Sequence, residues 1–92
     1  MFPRLMAKKP RGLTKSLHLP AHEALCQLLV AARHKADLTQ AVVAKRLKKP
    51  QSFVAKYEGG ERRVDLLEFL EIAKALEADP VAMLRALQKA PR

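Results

Sequence analysis

Tryptophan is absent from this chain, whose 92 residues hold one tyrosine, three phenylalanines and one cysteine. With so few aromatics, the core must be built from Leu, Val, Ile and Ala, and a chain this short supports one domain around one modest core. The lone Cys26 excludes an intrachain disulfide and fits a reducing cytosol. It sits among Leu25, Leu28 and Leu29, the setting of a small core residue; a catalytic thiol would want a base and a polar cleft. Long apolar runs are missing too. The longest uncharged stretch, Ala24 to Ala32, is too short to span a bilayer, and the N-terminus has no apolar segment of the secretory kind. The expectation is a soluble, cytoplasmic protein with no membrane partner.

Catalytic signatures are lacking as well. There is no P-loop, no glycine-rich dinucleotide turn and no CxxC. The carboxylates are spread along helical stretches with no nucleophile or base at a useful spacing, so no catalytic residues, no cofactor and no enzyme are expected. His18 and His22 are four apart, but Leu19-Pro20 interrupts a helix between them, and with His34 they do not make a metal site.

Acid is scarce in the front of the chain. Residues 1–57 hold 12 Lys/Arg against 2 Asp/Glu, whereas residues 58–92 hold 6 against 7, so the net charge of +9 is concentrated at one end. That asymmetry suits a polyanion partner; a solvated basic surface is the plain alternative. Residues 1–20 carry five basic residues, three prolines and no acid, and read as a basic, flexible arm able to lie along phosphates.

What is present is helical periodicity. Leu25, Leu28, Leu29 and Ala32 form the stripe of an amphipathic helix over about Ala21–Lys35. Thr39 can cap a second helix, about Gln40–Leu47, with Val43 and Leu47 on one face. The turn falls at Lys48-Lys49. Pro50 suits the first position of a third helix running to about Gly59, with Val54 and Tyr57 inward and Gln51, Ser52, Ala55 and Lys56 outward. Asp65 and Glu68 read as a capping box opening a fourth helix that carries Leu66, Phe69, Leu70 and Ala73 through to about Ala78. Asp79-Pro80 starts a fifth, with Val81 and Leu84 expected inward, Leu87 either inward or on a partner surface, and Met83 and the tail to Arg92 candidates for that surface.

The segment LTQ, then Ala44, then QSFVAKYE followed by glycine resembles the helix-turn-helix of the Cro and phage-repressor family, also called the xenobiotic-response-element (XRE) regulators. The likeness covers roughly Leu25 to Leu87. It implies an all-α, five-helix, lambda-repressor-like domain over 21–92, with the helix-turn-helix at about 39–59, following the arm that composition marks at 1–20. It also implies that the third helix enters the major groove of double-stranded DNA. By the same resemblance Arg33 pairs with Glu58, Ala44 lets the second and third helices approach, and the loop with Arg62 and Arg63 borders the DNA backbone. Lys48 departs from the pattern, which has glycine there.

The side-chain chemistry fits that frame. Gln51 can pair bidentately with adenine, Lys56 can reach guanine, Ala55 can meet a thymine methyl, and Ser52 can bond a base edge or a phosphate. Thr39, Gln40, Lys48, Lys49, Phe53, Arg62 and Arg63 are the expected backbone contacts. Phe53 has two readings, an exposed contact or a support for Tyr57. The expected function is a sequence-specific DNA-binding transcriptional regulator, a repressor acting as a homodimer. The alternatives are a DNA-binding antitoxin with a toxin partner, and a protein-interaction module on the same scaffold.

Overall fold

A computed structural model describes residues 19–90 of the chain. Helix α1 spans Pro20–Lys35, α2 Gln40–Leu47, α3 Gln51–Glu58, α4 Leu66–Ala75 and α5 Pro80–Gln88, and no strand occurs among the described residues. The domain is all-α. The arm expected over 1–20 lies outside the described residues except for Leu19 and Pro20, and Pro20 already belongs to α1.

The starts follow local chemistry. Thr39 Oγ1 accepts from the Val42 N–H at 3.1 Å, satisfying a donor that the first turn of α2 leaves orphaned. At α4 the capping box is complete: the Glu68 N–H donates to Asp65 Oδ1 at 2.7 Å, and the Asp65 N–H donates to Glu68 Oε1 at 3.1 Å. Asp79 caps α5 through the Val81 N–H at 2.9 Å, with Pro80 just inside. One start differs from expectation. Pro50 is the N-cap of α3 rather than its first residue; its ψ of 155° is extended, and its carbonyl accepts from the Phe53 N–H at 3.0 Å.

Four of the five ends share one device. Asp37, Lys48, Glu77 and Gly60 all take positive φ, at 60°, 59°, 58° and 83°. After α2 the Lys48 N–H reaches back to the Lys45 carbonyl and the Lys49 N–H to Ala44, both near 3 Å. The same two-bond closure follows α1 (Asp37 to His34, Leu38 to Arg33) and α4 (Glu77 to Lys74, Ala78 to Ala73). A non-glycine residue so placed costs about 1–2 kcal/mol. The closing bonds, and Leu38 and Ala78 packed on the core behind two of them, offset that cost.

Leu29, Val43, Val54, Tyr57, Ile72 and Leu76 are almost wholly buried, and Phe69 and Met83 join them. Cys26 is buried, and Ala44 is buried between the close-packed α2 and α3. Two expected faces are rotated. On α4, Phe69, Ile72 and Ala73 point inward while Leu66 and Leu70 are exposed, because the helix ends at Ala75 and seats Leu76 in the core. On α5, Met83 is buried and Val81 and Leu84 are exposed, the reverse of the expectation. Met83 joins Leu29, Phe69 and Leu76 in the core cluster, its flexible thioether side chain suited to an irregular gap.

Candidate nucleic-acid interface

Six of the eight residues of α3 divide between two faces. Val54 and Tyr57 are buried and anchor the helix; Gln51, Ser52, Ala55 and Lys56 are all exposed on the opposite side. Pro50 provides no side-chain cap, only its carbonyl closes the Phe53 N–H, and exposed Lys48 and Lys49 directly precede this helix end. Partial positive charge from the helix end therefore adds to two ammonium groups.

One flank of α3 is held by a half-buried ion pair. Arg33 Nε donates to Glu58 Oε2 at 2.7 Å and Nη2 to Oε1 at 3.1 Å, while Nη1 donates to the Leu38 carbonyl at 2.9 Å. The Glu58 carboxylate holds the Arg33 guanidinium above its ordinary pKa, so the arginine stays charged despite burial. Gln40 Nε2 donates to the same Glu58 Oε1 at 2.9 Å, and Gln51 Nε2 lies 3.5 Å from Gln40 Oε1. Gln40, expected against phosphate, is thus half-buried and tied into this network.

The other flank is aromatic and cationic. Phe53 is half-buried and meets Tyr57 edge-on, with ring centroids 5.5 Å apart. Lys49 Nζ lies 5.4 Å from its centroid and the Arg62 guanidinium 4.6 Å. The two readings of Phe53 coexist: it supports Tyr57 and its outer surface carries two cations. Arg62 also forks onto Glu68, each nitrogen 2.9 Å from its oxygen. That guanidinium, aided by the Asp65 N–H, holds the Glu68 carboxyl down at about 2. Arg63 and Thr39 are exposed, and the Thr39 hydroxyl serves as the α2 cap.

Several residues on these flanks were not anticipated. Arg46 donates to the Ala75 carbonyl at 2.7 Å and pairs with Glu77 at 3.2 Å, tying α2 to the end of α4. His22 is buried, its Nε2 3.4 Å from the Gly60 carbonyl and 3.8 Å from Cys26 Sγ, joining α1 to the loop beyond α3. Burial pushes the Cys26 thiol above its usual range, which suits a packing role. Only the position of His22 on the apolar side of α1 hinted at its burial. No helix among the described residues is long and apolar enough to cross a membrane.

Comparison with known proteins places this geometry. The family model described as "Helix-turn-helix domain" matches residues 24–87. Among solved structures, an XRE-family like protein from Pseudomonas syringae pv. tomato str. DC3000 is 42% identical, with a TM-score of 0.74 over 85% of this chain and 95% of that one. The restriction-modification controller protein C.AhdI from Aeromonas hydrophila is 29% identical, with a TM-score of 0.62 over 67% of this chain and 94% of that one. The clp gene regulator ClgR from C. glutamicum is 20% identical, with a TM-score of 0.68 over 74% and 88%, a likeness of fold alone. Among the curated proteins no match reaches significance. The family is generally non-enzymatic. By its family match and its 42% identical relative, the chain belongs to the XRE-family helix-turn-helix proteins, DNA-binding regulators of transcription.

Proposed function

We propose that the protein is a sequence-specific binder of double-stranded DNA that represses transcription as a homodimer in the cytoplasm, at the nucleoid. The observation that carries this reading is the split of α3, two residues locked in the core and four polar or small residues presented together on an exposed face. That face suits insertion into a major groove, where Gln51, Ser52, Ala55 and Lys56 read base edges. Thr39, Gln40, Lys48, Lys49 and Arg63 lie against phosphates on either side, and Phe53 packs along the sugar edge. Gln40 does so while its amide nitrogen stays on Glu58.

A lone domain of this size covers little duplex, which favours two copies on a pseudo-palindrome with half-sites about 34–36 Å apart. The exposed Leu66, Leu67, Leu70, Val81 and Leu84 favour a protein partner on the α4 and α5 side. A second copy is the first reading of that surface; a toxin, with this chain as antitoxin, is the second. Selection from randomised duplexes, followed by a salt titration on the winning site, tests the whole. We expect a two-fold-related site and a steep log–log fall in affinity with salt that leaves the sequence preference standing. Enrichment of no sequence, with salt-sensitive binding alone, would leave only a basic interaction module.

A further inference from the structure

Helix α3 is only eight residues long, and no side chain caps its N-terminus, so its pose depends on what grips its flanks. The Arg33–Glu58 pair grips one. On the other, the Arg62 guanidinium lies 4.6 Å over the Phe53 ring while both of its terminal nitrogens sit on the Glu68 carboxylate. Its Nη1 donates in addition to the Arg63 carbonyl at 2.9 Å. Glu68 is itself fixed, since its Oε1 accepts the Asp65 N–H that closes the start of α4. A continuous path therefore runs from α4 through Glu68, Arg62 and Phe53 to buried Tyr57. An arginine that clamps a phosphate needs an open fork; this one has its edge on a carboxylate and its face on a ring.

We propose that Glu68 and Arg62 form a positioning bracket that sets the pose of α3 against the duplex, with Arg62 acting through Phe53 instead of serving as a phosphate ligand. The inference rests on the DNA-binding reading. It assigns Glu68, an acidic residue on a helix otherwise turned from the duplex, a part in recognition. Lysine at 62 would keep the charge but lose both the fork and the flat face.

The test uses the full chain and the variants Arg62→Ala, Arg62→Lys and Glu68→Gln, titrated on the selected duplex and on a scrambled one across a salt series. Glutamine at 68 keeps the capping box, so folding is preserved. The bracket predicts that all three variants lose affinity for the selected site by about two- to fivefold, with the salt slope unchanged. Amide hydrogen exchange in the free protein should rise along α3 in the same three variants. A phosphate ligand behaves otherwise: Arg62→Ala would lower the slope by about one, Arg62→Lys would bind like the parent, and Glu68→Gln would bind more tightly. Any of those results, or no change in the three variants, overturns the bracket. A parent protein that treats both duplexes alike would overturn the regulator reading instead, and the exchange rates would still decide the bracket.

Discussion

Arg33 and Glu58, 25 residues apart in sequence, meet in a two-point ion pair whose side chains are only 13% and 6% exposed. Arg33 also holds the Leu38 carbonyl, so one side chain ties α1 to the end of α3 and to the turn before α2. Replacing Arg33 by Ala leaves the Glu58 carboxylate with Gln40 as its remaining side-chain partner. The expected loss is about 3–5 kcal/mol of folding free energy. A urea titration reads it directly. A variant that melts within a degree or two of the parent would show that the pair contributes little.

The turn at Asp37 offers a gain of stability. Its φ of 60° is left-handed, and its side chain is exposed. Asp37→Gly should remove about 1–2 kcal/mol of strain and give back about half of that in unfolded-chain entropy. A rise in the urea midpoint of the size expected for about 0.5–1 kcal/mol is therefore predicted. A fall would mean that the aspartate makes a contact in solution that outweighs the strain.

Tyr57 is buried, yet its hydroxyl has no hydrogen-bond partner among the described residues, and burial drives its ionisation far above the ordinary range. Tyr57→Phe removes an unpaired polar atom and keeps the ring that Phe53 meets edge-on. Stability should hold or rise by about 1 kcal/mol. Differential scanning calorimetry on the pair would show it; a loss above about 1 kcal/mol would point to a hydroxyl that is satisfied after all.

Glu68 makes folding depend on acid. Its carboxyl titrates at about 2 in the fold against 4.5 unfolded, so the native state holds the charge more tightly. The stabilisation is complete above pH 4.5 and is lost as pH falls from there towards 2. The Arg62 side of the pair is 40% exposed, and solvent screening trims the contribution to about 1 kcal/mol. Glu68→Gln should flatten the parent's stability profile across that window. Identical slopes for the two proteins would contradict the assignment.

Gln51 stands at the exposed tip of α3 with its amide nitrogen near Gln40. Gln51→Ala should cost about 1–3 kcal/mol at one base pair of each half-site and relax the preference there. A repeated selection with the variant would show a flattened column at that position. An unchanged column would remove Gln51 from the reading set.

Periodicity and end signals in the chain were sufficient for five helices in order, because caps and apolar spacing act within a few residues. Thr39, the Asp65–Glu68 box and Asp79-Pro80 each mark a start by bonding to their own first turn. The outward set of α3 was legible for the same reason: once Val54 and Tyr57 face the core, 3.6 residues per turn place Gln51, Ser52, Ala55 and Lys56 outside. Arg33 and Glu58 came from family likeness, since nothing local links residues so far apart. Other features belong to the tertiary structure. Whether α5 buries Met83 or its branched neighbours depends on the shape of the space above α1 and α4, which no single helix encodes. Asp37 and Glu77 take left-handed turns because Leu38 and Ala78 must reach the core behind them. Arg62 meets Glu68 and Phe53 only because the loop after Gly60 folds back between two helices. Local rules determined which residues form each rod; packing decided how each rod is turned, and with it which cations remain open to a duplex and which are held by the protein itself.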